Sequence, residues 1–171
     1  MLYTLAVTQG SAMLNNLKAL LFKAKANAEA RKFDVNVLAQ SRLAPDMFPL
    51  TRQVQIACDS LKLGVARVVD QLETVPKHAD TETTIDELIV RIEQTLAYLA
   101  SVTPAMFADA ASRRVGTPRW DGKTLSGEEF IVQYALPNLY FHITTSYAIL
   151  RHNGVDVGKQ DYLGPLPLQA Q

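Results

Sequence analysis

Three histidines are the residues of this 171-residue chain best suited to acid–base or metal chemistry, and their surroundings differ. His78 falls in a polar stretch, TVPKHADTETT, where solvation is its expected state. His152 closes a periodic apolar segment, where a partly positive imidazole suits the negative end of a helix dipole. His142 is the residue of interest, because Tyr140, Phe141 and Ile143 flank it and at least half burial is expected. A buried imidazole needs partners, since an unpaired buried polar group costs about 1–3 kcal/mol. Helical spacing puts Asn138, His142, Thr145 and Ile149 on one stripe, and Gln55 or Asp59 of an earlier segment can meet them there. Such a set can hold a metal, a water or a small polar molecule, or it can simply fix helix register. An unperturbed histidine titrates near neutral pH, so any catalysis would use His142 as general acid or base. Gln55, Asp59 and Asn138 would then orient the ring or the ligand.

Other chemistry is thinly represented. No Gly-rich phosphate loop, H-E-x-x-H or G-x-S-x-G pattern occurs. Glu128 and Glu129 open a helical segment, where negative charge suits the dipole, and do not form a dyad on facing elements. Cys58, the one cysteine, is expected to be a small buried apolar residue, with a thiol role left open by its place between Gln55 and Asp59. Arg113, Arg114, Arg119 and Trp120 form either an anion-binding rim or a solvated loop.

Long apolar periodicities must position these residues. Met13, Leu14, Leu17, Leu20 and Leu21 recur at helical spacing in a first helix over residues 2–31, whose Ala-rich end is expected to be exposed. Val54, Cys58, Leu61, Val65, Val68 and Leu72 define a second over 49–72, started by Pro49. Thr84 and Glu87 have capping-box spacing, and Ile85, Leu88, Ile92, Leu96 and Leu99 extend a third helix to about residue 102. Residues 112–127 read as a small hairpin around Asp121-Gly122 or as an irregular insert. The fourth helix spans 126–152, with Pro137 kinking or splitting it and Asn153-Gly154 stopping it. The tail, about 155–171, is expected to wrap the surface and fray. The pattern is all-α: one domain over 1–171, an up-and-down four-helix bundle.

Bulk composition excludes several roles. Hydrophobic residues make up 48%, too many for a disordered chain, and no apolar run approaches the ~18 residues of a membrane span. Seventeen basic and 17 acidic residues cancel, which leaves no field to gather nucleic acid or anionic lipid. Zero net charge favours self-association, so a homodimer is expected. The single cysteine and the absence of a basic-then-apolar leader point to the cytoplasm.

Two segments, SRLAPDMFPLTRQVQIACD and LPNLYFHITTSYAILRHNGVDVGKQDYLG, resemble a bacterial and fungal family of unknown function in the DinB-like, or YfiT-like, superfamily of metalloenzymes. The resemblance implies a four-helix bundle, often dimeric, and metal-dependent activity that in several members transfers low-molecular-weight thiols. It implies a divalent metal, Zn or Ni, held by one histidine of the second helix and an H-x-x-x-H pair of the fourth, ahead of an L-R-x-x-G ending. Leu150, Arg151 and Gly154 match that ending, which puts His142 at the second position of the pair. The first position holds Asn138, and the second helix offers Gln55, Cys58 and Asp59 but no histidine. His142 is then the one surviving metal position. Three functions follow: a pocket around His142 that binds a small polar molecule or thiol, a non-catalytic dimeric interaction bundle, and a metal-dependent thiol transferase.

Overall fold

The structure, a computed structural model, describes residues 1–169 and is mostly helical. A π-helical turn, Thr4–Gln9, runs into α1, Gly10–Arg31. Met13, Leu14, Leu17, Leu20, Leu21, Ala24 and Ala28 are its buried stripe. The Ala-rich end is largely exposed, as expected, Ala26 and Ala30 included, but Ala24 and Ala28 face inward. Their small side chains let α1 lie close to the end of a later helix, where Asn27 and Arg31 donate to the carbonyls of Gly154 and Asn153. Lys32, in the left-handed conformation, stops the helix.

Pro49 caps α2, Leu50–Val68, with its missing N–H falling where no partner is needed. The expected capping box is present at α3, Ile85–Ser101: Thr84 accepts from the Glu87 amide while Glu87 accepts from Thr84. The insert is a hairpin, with β1 (Arg114–Val115) antiparallel to β2 (Leu125–Ser126) and Val115 opposite Leu125. Asp121 and Gly122 take positive φ at its tip, a conformation that suits Asp-Gly. Its Trp120 packs edge-on against Tyr134, with ring centroids 4.9 Å apart.

The expected fourth helix is split. Ser126 caps α4, Gly127–Phe130, through a second capping box with Glu129, expected from sequence only as a dipole charge beside Glu128. A π-helical turn, Ile131–Ala135, then hands over to α5, Leu136–His152. Pro137, in the first turn of α5, is the cause: it has no N–H to donate back, and the wider turn accommodates its ring.

The most extensive seam joins α2 to α5; α2 also packs on α3, and α1 on both α3 and α5. Leu14, Leu17, Leu61, Val65, Leu88, Ile92, Leu139 and Ile143 are fully enclosed between them. Each such side chain contributes about 1.5–3 kcal/mol by leaving water. Among the described residues no helix is long and apolar enough to cross a membrane.

The tail is more ordered than its composition suggested. Val155 and Val157 are buried, and α6, Lys159–Leu163, docks on α1. Asn16 of α1 donates to the carbonyls of Tyr162 and Leu163, satisfying two groups that a helix end leaves open, and Lys23 pairs with Asp161. Of the tail expected to wrap the surface and fray, residues 170–171 lie outside the described residues. Asn16→Ala should cost about 1–2 kcal/mol, since it strands two acceptors. Hydrogen exchange should show faster exchange confined to residues 159–164.

Candidate functional site

His142 projects from α5 toward α2 and is 8% exposed. Its Nδ1 lies 2.7 Å from Oε1 of Gln53, itself 2% exposed. The other end of the Gln53 amide, Nε2, donates to the Phe48 carbonyl at 3.0 Å. A carbonyl only accepts, so the amide nitrogen must face Phe48 and the oxygen must face the ring. His142 therefore carries its proton on Nδ1 and donates it, which leaves a lone pair on Nε2. Among the described residues Nε2 has no hydrogen-bond partner, and it is not one of the fully enclosed orphaned atoms found there, which are Arg91 Nε, Tyr98 Oη and Thr117 Oγ1.

Burial pushes the His142 imidazole down to about 4, and the nearby Arg52 charge acts in the same direction. The near-neutral titration of an unperturbed histidine is therefore lost, and the ring is neutral at pH 7. A neutral ring with so low a pKa has no proton to give as an acid and little basicity. What it offers is a fixed hydrogen-bond acceptor.

The other expected partners lie elsewhere. Asn138 donates to the Tyr134 carbonyl (2.7 Å), where the π-helical turn gives way to α5, and Thr145 donates to the Phe141 carbonyl of its own helix. Thr145 also lines an open groove of about 480 Å³ with Leu43, Pro137, Tyr140 and Phe141, and His142 is not part of that lining. Gln55 and Asp59 face α3 and the loop before it. Gln55 accepts from Arg52 and donates to Glu82, while Asp59 meets Arg91 and Lys62.

Arg91, 1% exposed, also binds Asp80 and Glu82, and Lys62, 2% exposed, bonds to His78. Solvation was thus the wrong expectation for His78, which bridges Lys62 and Gln94. The thiol role left open for Cys58 closes too, because burial pushes that group up to about 12 and keeps it protonated and enclosed.

These donors do not fit the metal that the resemblance implies. The amides of Asn138 and Gln55 are already bonded, Asp59 is neutralised by two cations, and one imidazole nitrogen remains. Among the described residues no group of three His, Cys, Asp or Glu side chains is placed to hold a metal ion.

Gln53, Lys62 and Arg91 were not singled out from sequence, although a signal existed. Gln53 sits between Leu50 and Ala57, and Arg91 between Leu88 and Thr95, each at helical spacing on a buried stripe. A polar residue in phase with a core face must find a partner there.

The chain belongs to the family described as "Domain of unknown function (DUF1993)", whose model matches residues 2–163. It is similar to the crystal structure of a DinB family member protein from Shewanella denitrificans, at 58% identity and a TM-score of 0.96, over 100% of this chain and 96% of that one. No curated protein matches.

Gln53→Ala should cost about 1–3 kcal/mol in urea unfolding, because it strands the His142 N–H and the Phe48 carbonyl together. Gln53→Glu, which cannot donate to Phe48 when ionised, should recover little of that loss.

Proposed function

We propose that this chain is an up-and-down four-helix bundle whose His142 binds a small molecule through a hydrogen bond to Nε2. The observation that carries this reading is the bond from Nδ1 to Gln53, which fixes the tautomer and turns an unused acceptor lone pair away from the amide. A neutral acceptor selects a ligand with an O–H, N–H or S–H donor, small thiols and alcohols among them. With its low basicity, His142 binds and orients rather than exchanging protons, so the role is that of a binding protein and not of an acid–base enzyme. Arg52, whose charge reaches the ring, favours a ligand that is neutral or anionic.

The enclosure of His142 favours a second reading, in which the Gln53–His142 pair only locks α2 against α5 and the bundle acts through its surface as a homodimer. One screen separates the two. Thermal unfolding is followed with small thiols, alcohols, amides, Zn²⁺ and Ni²⁺, for the parent and for His142→Phe. The binding reading predicts that a neutral donor molecule raises the parent melting temperature and does nothing to the variant. If no probe separates parent from variant, the structural lock stands.

A further inference from the structure

Residues 76–83 cross from α2 to α3 with unusually little to hold them down. None of their side chains is buried, and among the described residues no backbone–backbone hydrogen bond ties them to a helix. At their end Thr83 gives its N–H and hydroxyl to Glu87 of α3, and the remaining anchors to α2 and α3 run through three ionisable side chains. His78 bonds Lys62 at 2.8 Å and Gln94 at 3.1 Å, Asp80 bonds Arg52 at 2.6 Å and Arg91 at 2.7 Å, and Glu82 bonds Arg91 at 2.9 Å and Gln55 at 2.8 Å. We propose that residues 76–83 form an acid-sensitive latch over the α2–α3 seam, released when His78 takes up a proton and is repelled by Lys62.

The geometry fixes the tautomer. An ammonium has donors only, so His78 Nδ1 must accept from Lys62, and Nε2–H then donates to Gln94 Oε1. The groups acting on His78 are Lys62 and Asp59 on α2 and Arg91 and Gln94 on α3, while Asp80 and Glu82 of the latch are bonded to Arg52, Arg91 and Gln55. With His78 neutral, the cations Arg52, Lys62 and Arg91 are balanced by Asp59, Asp80 and Glu82. A second proton can enter only at Nδ1, where it points at the ammonium, destroys the bond and leaves one excess positive charge beside two buried cations.

Asp80 and Glu82 do not titrate in the same range. Burial raises Asp80 and Glu82, but hydrogen bonds from Arg52 and Arg91 to Asp80 and from Arg91 to Glu82 outweigh it and hold both below the ordinary value. His78 is held below its ordinary value by burial, then by Lys62 and Arg91. A histidine so depressed favours the neutral, latched state: the contribution is full above about pH 6.5 and is lost as the pH falls further. Release takes two carboxylates from Arg91 and frees Arg52, whose charge also reaches His142.

The test is a nitroxide placed at Thr81→Cys, a solvent-exposed position, while Cys58 stays buried and unlabelled. Its spectrum is followed in a titration from about pH 7.5 down to about pH 4.5, with and without His78→Gln, which keeps an acceptor for Lys62 but cannot titrate. The expected result is an increase of about twofold or more in the mobile fraction on acidification with His78 present, and none with His78→Gln. Far-UV circular dichroism should stay constant. An unchanged spectrum, an equal change in both proteins, or a parallel loss of helix signal would overturn the latch.

Discussion

One amide side chain sets the terms on which α2 and α5 meet. Gln53 gives its N–H to the Phe48 carbonyl and its oxygen to His142, so a residue 2% exposed spends both ends of its amide. The carbonyl that anchors it belongs to the turn just before α2, held in turn by Pro49 and by the bond from the Leu50 amide to Ser41. The orientation of the imidazole, its tautomer and its neutrality all follow from that chain of contacts. A buried network satisfied in this way specifies register as well as adding stability, because slipping α5 by a turn would strand the His142 N–H and the Gln53 carbonyl oxygen together.

The opposite face of α2 is organised by charge. Gln55, Asp59 and Lys62 face α3 and the loop before it, where Arg91 gathers three carboxylates. A guanidinium so enclosed costs several kcal/mol to desolvate, and the carboxylates repay it only while all of them stay in place. The two faces of α2 thus use different chemistry: a neutral amide toward α5, where the His142 ring is oriented, and paired ions toward α3, where a loop is held. Arg52 touches both, bonding Asp80 and Gln55 while its charge reaches His142.

Much of the fold was legible from apolar spacing. Leu14 to Leu21, Val54 to Val65 and Leu88 to Leu99 recur at helical intervals, and tertiary packing then used those same faces. The Thr84–Glu87 box and the Asp121-Gly122 turn were equally readable, since local geometry decides both. What escaped depended on contacts distant in sequence. Ala24 and Ala28 carry no polarity to reveal whether they face water or α5, and α6 exists because Asn16, well over a hundred residues earlier, caps its end. The site was half legible. His142 was identified by its apolar neighbours, but helical phase alone could not tell that Gln53 rather than Gln55 or Asp59 would face it.

The account rests on the state of one ring, and nitrogen-15 NMR of His142 at about pH 7 reads that state directly. The account predicts a neutral imidazole with its proton on Nδ1 and an unprotonated Nε2, unchanged until the pH approaches about 4. A proton on Nε2, or a ring already charged at neutral pH, would contradict it.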